Sequence, residues 1–459
     1  MLSVQDNELL CNVAPGTPMG ELMRLYWIPA FTSDELPEPD GRPLRLRLLS
    51  ENLIAFRSSA GNVGILANAC PHRGASLFFG RNEEDGLRCV YHGWKFDVAG
   101  RCVDMPNEPT ESNFKDKVRA VAYPCQERNG VVWTYMGREA PPPPLPQLEA
   151  NVLPPERYEM FAQTTLRECN YMQALEGDID TVHSNFLHDG AVKLEDLAPG
   201  TNDYYRRATL APRFIVSDTD YGTTYGASVP AEEDSTYWRI ANFLFPFYTQ
   251  VPSGVLGGQI FARAWVPIDE RNTMVWTLRA QPRDAGGNHP AVYRSQMRQQ
   301  QAQVLANRPG HGYLPNGTDW IGRWRLGANA KNDYLIDRKA QKQKLSYTGI
   351  PTIFLQDQAV TESMGSIYQR QNEHLGTTDA MIIRTRQRLI RAAEAYRDRG
   401  EIPPCVHNPA VYAVRSGWTV LPNGVDWLEG TRELRRAFVE RSADDLAAHA
   451  PRAAQQGGG

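Results

Sequence analysis

Four residues in the first quarter of the chain have the types and spacing to hold a redox-active metal centre. Cys70 and His72 form a Cys-x-His pair, sixteen residues follow, and Cys89 and His92 form a Cys-x-x-His pair. Two thiolates and two imidazoles, each pair on its own tight loop, suit a [2Fe–2S] centre in which the cysteines hold one iron and the histidines the other. Neutral imidazole in place of thiolate raises the potential of such a centre, to roughly −150 to +300 mV. A structural Cys2His2 zinc site uses the same four ligand types. Three features of the neighbouring residues favour iron and sulfide. Gly74 and Gly93 follow the two pairs, where the backbone must wrap closely around the cluster. Pro71 fixes the φ of the first loop. Tyr91 and Trp94 offer a hydroxyl and an aromatic shield, groups that tune a metal centre from outside its ligand set.

A cluster with four protein ligands has no open position for a substrate, and a second constellation supplies one. Residues 176–188, EGDIDTVHSNFLH, place Asp180, His183 and His188 together. Two histidines and one carboxylate can form a facial triad that leaves positions on Fe(II) open for O2 and substrate. His183 and His188 are five residues apart, about 140° around an ideal helix, so an unbroken helix would not converge them. The helix must bulge or end between them, and π-type distortions favour functional sites. Asp180 could be the third ligand, or it could accept the other ring N–H of an iron-bound histidine. Asp357, in the run FLQDQAVTE at 354–362, is the alternative third ligand.

The segments CPHRG at 70–74 and CVYHGWKFD at 89–97 resemble the Rieske signature of the ring-hydroxylating oxygenases. The Asp-x-x-His-x4-His segment, with Asp357 and Glu362 far downstream, resembles the catalytic domain of Rieske non-haem iron oxygenase α subunits. CNYMQALEGD at 169–178, TESMG at 361–365, EHLG at 373–376, GTPMG at 16–20 and RLYWIP at 24–29 are similar to the long-chain group that includes phthalate dioxygenase and the biphenyl-type lignin O-demethylases. The resemblance implies an α+β fold: a small antiparallel β Rieske domain, then a helix-grip catalytic domain with a twisted antiparallel sheet. It implies a [2Fe–2S] cluster on Cys70, His72, Cys89 and His92, and Fe(II) on His183, His188 and Asp357. Asp180 becomes the acid that bridges His183 to His92 of the partner subunit, in a homotrimer or a multiple of trimers. The implied activity is that of a terminal oxygenase using O2 on an aromatic substrate, an aromatic carboxylate by preference. Ring dihydroxylation is the main reading and oxidative O-demethylation of a methoxylated aromatic acid the alternative. A Rieske electron carrier without catalytic iron is a third reading. The sequence has neither a nucleotide-binding Gly-rich strand-turn-helix nor plant-type ferredoxin cysteines, so electrons are expected from a separate NAD(P)H-dependent reductase of flavin or ferredoxin type.

These side chains need a scaffold, and the 459 residues allow two or three domains. The run APPPPLP at 140–146 reads as a stiff connector. It divides an N-terminal segment (1–26) and a β domain (27–139) from a catalytic domain (147–400), followed by an extension (401–459) with a disordered, Gly-rich tail at 455–459. Strands are expected at 44–49, 53–56 and 131–135, then at 214–216, 237–243, 258–266 and 273–278. Ile382, Leu389, Ala393 and Tyr396 predict a helix with one buried stripe over 380–397. The polar stretch 281–347 shows no period. Net charge is −4, which gives no electrostatic reason to expect nucleic acid or an anionic membrane. No apolar run approaches membrane-spanning length. Seven irregularly spaced cysteines suit free thiols in a reducing cytoplasm. For an aromatic carboxylate, Arg207 is the chosen anchor among Arg206, Arg207, Arg239 and Arg263, with Asn170 beside it. Trp238, Phe243, Phe245 and Phe247 read as core or pocket lining.

Overall fold

The computed structural model describes residues 1–109, 111–232, 234–283 and 312–449, so the tail expected at 455–459 lies outside the described residues. The N-terminal β domain is three small antiparallel sheets. The strand Val131–Tyr135, VVWTY, is buried at every position and pairs with Trp27–Thr32 on one side and Cys125–Arg128 on the other. A second sheet takes Leu44–Leu48, Glu51–Arg57, Val63–Ala67 and Ala122–Tyr123 in that order. The third, at the tip, joins Arg81–Glu83, Gly86–Arg88, Lys95–Phe96 and Cys102–Asp104. Leu77, Leu87, Trp94 and Phe96 pack with Cys70 and Cys89 in a small core of their own, which holds the two ligand loops from beneath.

The proline run is pinned to the β domain at its middle and at its end. Trp27 Nε1 donates to Pro143 O at 2.6 Å and the Arg128 guanidinium to Pro146 O at 2.9 Å.

The second domain is an eight-stranded antiparallel sheet. Its main path runs Tyr158–Arg167, Thr273–Pro282, Ile260–Pro267, Tyr248–Gln250, Ser235–Leu244, Gly222–Pro230 and Arg213–Thr219. The eighth strand, Gly417–Pro422, pairs with Ser235–Leu244 from Ser235 opposite Pro422 to Ile240 opposite Gly417. Residues beyond 400, read from sequence as an extension, therefore supply part of the catalytic sheet. The helix Ala380–Arg399 buries Met381, Ile382, Leu389, Ile390 and Ala393, and stops at Gly400 with φ +65°. It packs on the helix Pro18–Arg24 and on the strand Gly222–Pro230, so the N-terminal segment docks on the catalytic sheet. No helix among the described residues is long and apolar enough to cross a membrane.

Candidate metal centres and active site

The two loops at the tip are built alike. Cys70 N donates to Ala75 O and Gly74 N to Cys70 O, both at 2.8 Å; Cys89 N donates to Trp94 O at 2.8 Å and Gly93 N to Cys89 O at 2.9 Å. Both glycines are left-handed, at φ +75° and +81°, which turns each chain back on itself. Across the loops, thiol meets thiol and imidazole meets imidazole: the Cys89 thiol is near enough to act on that of Cys70, and the His72 and His92 rings lie 4.4 Å apart. This pairing gives each of two irons one ligand from each loop. A single tetrahedral zinc would hold its ligand atoms about 3.3–3.8 Å from one another. Among the described residues, the group of ligand atoms found within 4.8 Å is His183, His188 and Asp357, so the Cys/His quartet is not drawn around one ion.

Burial pushes the Cys70 thiol up to about 11, Cys89 adding to the rise while backbone N–H groups at His72 and Arg73 oppose it. Burial, His72 and Arg73 lower the His92 imidazole, which favours the neutral ligand form. Trp94 stacks on His72 at 4.4 Å and 14°, held by its Nε1 donating to Asn107 Oδ1 at 2.6 Å. Tyr91 is exposed and meets His92 through its ring, at 3.9 Å.

Gly93 is the tighter of the two turns. A Cβ there would lie 2.6 Å from Pro106 Cγ, whereas one at Gly74 would meet nothing within 4 Å. Both substitutions by alanine carry a left-handed cost of about 1–2 kcal/mol. Gly93→Ala is expected to lower cluster occupancy several-fold, and Gly74→Ala much less. Visible absorbance and iron per chain on purified variants check this; equal occupancy would contradict it.

The second constellation begins at Asn170, whose Oδ1 accepts Met172 N at 3.0 Å and caps the helix Tyr171–Ile179. The helix ends at Asp180 in extended backbone, and a separate short helix, Ser184–Leu187, follows with His183 and His188 at its two ends. The break therefore falls before His183 and not between the histidines as the spacing suggested; one helical turn joins them, and only its end is distorted, where Asp189 N bonds Ser184 O at 3.1 Å in an i to i−5 pattern. Asp357 arrives from the helix Ile353–Ser363.

The three side chains converge. His183 Nε2 and His188 Nε2 are 3.1 Å apart, and Asp357 Oδ1 lies 3.5 Å from the first and 3.2 Å from the second. Metal–ligand lengths of about 2.0–2.2 Å set neighbouring octahedral donors about 3 Å apart, so the triangle fits one face of a metal ion. Each histidine is backed by an oxygen on its other nitrogen. His188 Nδ1 meets Gln356 Oε1 at 2.7 Å, while Asp180 Oδ2 stands at an ion-pair distance of 3.5 Å from His183 Nδ1. Asp180 thus sits behind a histidine and outside the triangle. Burial works to lower His183, but the Asp180 and Asp357 carboxylates outweigh it and hold that imidazole above its ordinary range. Burial works to raise Asp357, but His188, His183 and Arg167 outweigh it and hold that carboxyl below its own.

The triangle opens on a cavity of about 500 Å³ whose walls include Arg206, Arg239 and Arg263. Asp178 pairs with Arg263 and Asp189 with Arg206. Arg239 has no hydrogen-bond or ion-pair partner among the described residues, and its Nε is buried without one. Two substrate assignments made from sequence are corrected here. Arg207 points away from the cavity, its guanidinium spent on Asn185 O at 2.8 Å and Val192 O at 3.0 Å. Asn170 is fully buried, its amide nitrogen committed to Cys11 O and Glu270 O. Phe243, Phe245 and Phe247 are core, and Trp238 stacks on Trp427. Gln356, the oxygen behind His188, was missed; its place beside Asp357 was the available signal.

A domain shaped to carry a [2Fe–2S] cluster, joined to a sheet domain with a two-histidine, one-carboxylate triangle, defines a class of iron-dependent oxygenases. Comparison with known proteins agrees. Residues 26–124 match the Rieske [2Fe-2S] domain, and residues 134–447 match the LigXa C-terminal domain like family. The chain is 45% identical to the 3-chlorobenzoate-3,4-dioxygenase oxygenase subunit of Comamonas testosteroni, over 93% of this chain and 97% of that one. It is 35% identical to the phthalate 4,5-dioxygenase oxygenase subunit of Pseudomonas putida, over 86% and 87%. The crystal structure of dicamba monooxygenase bound to dicamba shares the fold, with a TM-score of 0.54, 18% identity, and 82% of this chain and 99% of that one covered. The chain belongs to the Rieske non-haem iron oxygenase α subunits.

Proposed function

We propose that the protein is the terminal oxygenase of a multicomponent system acting on an aromatic ring that carries one carboxylate. Arg239 carries this reading. Of the three cavity arginines, two are neutralised by Asp178 and Asp189, and Arg239 lacks a partner among the described residues. A guanidinium recognises a carboxylate through two parallel hydrogen bonds. A second carboxylate on the same ring would lose hydration without gaining a counter-charge. The benzoate in the name of the 45%-identical relative supports the same class.

When bound, the [2Fe–2S] centre supplies electrons one at a time and Fe(II) activates O2. Cys70, His72, Cys89 and His92 would hold the first, and His183, His188 and Asp357 the second. Arg239 holds the substrate carboxylate and turns the ring toward the triangle. Asp180 keeps the His183 ring in place and faces outward, toward His92 of the partner subunit in a ring of three chains. A separate NAD(P)H-dependent reductase supplies the electrons, and the unbridged cysteines suit a cytoplasmic setting.

Arg239→Gln is expected to raise KM for benzene monocarboxylates about 10- to 100-fold, the worth of a charge-assisted hydrogen bond, with a smaller change in kcat. O2 uptake across benzoates, phthalates and their methyl esters reads this out. Methyl esters used as well as the acids would remove the carboxylate from the reading. Product mass under 18O2 separates ring dihydroxylation, with two labelled atoms, from O-demethylation.

A further inference from the structure

We infer that Arg167 is a positioning residue for the mononuclear iron, which it serves through Asp357 as a buried positive charge. The inference rests on Asp357 being a ligand. Arg167 ends the strand Tyr158–Arg167 and is 1% exposed, with its guanidinium under the helix that carries Asp357. A buried arginine is ordinarily paired with a carboxylate, because an isolated charge in the interior is costly. No salt bridge reaches Arg167 among the described residues, and its Nε has no hydrogen-bond partner. Its two terminal nitrogens go to neutral oxygens on the Asp357 helix: Thr361 Oγ1 at 3.0 Å and Phe354 O at 3.3 Å. The face of Phe354 covers it, with the ring centroid 4.6 Å from the guanidinium carbon.

The route to the iron site is short. Thr361 accepts from Arg167 and donates its own hydroxyl to the carbonyl of Asp357 at 2.7 Å. Arg167 therefore grips the first turn of the ligand helix at Phe354 and the ligand residue's own backbone through Thr361. The nearby acid Glu362 is engaged elsewhere, by Tyr334 at 2.5 Å, Gln358 at 2.9 Å and the Glu168 N–H at 2.9 Å. Of the acids acting on Arg167, Asp357 has the largest attraction. The charge missing from its immediate shell is supplied one step further out, by the ligand carboxylate. A fixed positive charge behind that carboxylate weakens its donation to the metal and so favours the ferrous over the ferric ion.

The test uses the full chain with both metals loaded. Arg167→Lys keeps the charge and loses the fork; Arg167→Met and Arg167→Gln lose the charge. The mononuclear iron potential is expected to fall in Met and Gln and to stay near wild type in Lys. All three are expected to lose that iron to a chelator about 10- to 100-fold faster, with the cluster spectrum unchanged. Thr361→Val cuts the relay and keeps the charge, so it is expected to speed iron loss without moving the potential. Should Met and Gln fail to fold, Lys and Thr361→Val still decide. Iron loss at the wild-type rate in both, or a potential unmoved in a folded charge-free variant, would overturn the inference. A wild-type chain with no third iron would instead refute Asp357 as a ligand.

Discussion

Asp180→Asn is expected to retain both metals and to lose turnover by about 100-fold or more. The two carboxylate oxygens have separate tasks. Oδ1 accepts Val182 N at 2.8 Å and shapes the turn between the two helices, a bond that an asparagine oxygen can keep. Oδ2 faces His183 Nδ1 at 3.5 Å and supplies the negative charge behind that ring. Burial works to raise Asp180, but His183 and the Val182 and His183 N–H groups outweigh it and hold it below the ordinary carboxylate range, so it is the charged form that acts. Asparagine keeps the size and the cap and removes the charge. Losing the partner behind a metal-bound histidine costs about 10- to 100-fold in affinity or activity. The upper end is expected here because, in the function proposed above, the same acid also carries the path from the cluster. Iron per chain, the cluster spectrum, and the rate at which a reduced cluster is reoxidised by substrate and O2 check this. Reoxidation at the wild-type rate would remove Asp180 from the path.

What the sequence disclosed about these sites depended on how local each feature is. The Rieske quartet was legible because its two loops are each closed by their own backbone bonds, so spacing alone fixes the geometry. His183 and His188 were legible because they are close in sequence, but angle arithmetic put the helix break between them, whereas it falls before His183. Asp357 lies far along the chain, and no spacing connects it to the histidines; resemblance found it. The arginines show where local reading ends. Arg206 and Arg207 are neighbours on the helix Asn202–Ala208, about 100° apart, so which one faces the cavity depends on a helix phase that only packing sets. Asn170 carried a readable signal, a capping residue before an apolar run, and was passed over for a pocket role. The strand Gly222–Pro230, GTTYGASVP, resembles a loop in composition. It is a strand because it pairs on both sides, with Arg213–Thr219 and Ser235–Leu244, and Gly226 leaves room for Trp238 and Trp427, where a Cβ would stand 2.8 Å from the Trp427 ring.

The largest effect on metal content is expected from Asp357→Ala, which should take the chain from about three irons to about two and leave the cluster spectrum intact. The triangle gives the reason. With His183 and His188 Nε2 atoms 3.1 Å apart and Asp357 Oδ1 3.2–3.5 Å from them, the carboxylate is the sole anionic donor of the three. Its removal leaves two neutral imidazoles, one of them backed only by the amide of Gln356. Two neutral donors hold Fe(II) poorly, because the facial triad has lost its third donor and its one negative charge. The loss has a second consequence, since Arg167 would then lie buried without the carboxylate that offsets it. Asp357→Ala should therefore also lower the thermal midpoint of the catalytic domain, and Asp357→Asn, which keeps the volume, should lower it as well. Arg167→Met combined with Asp357→Ala should recover part of that loss, because the double change removes both charges. Iron and sulfide analysis with differential scanning calorimetry reads all of this. Retention of the third iron in Asp357→Ala would strike Asp357 from the ligand set, and strictly additive losses in the double variant would show that the two charges do not meet.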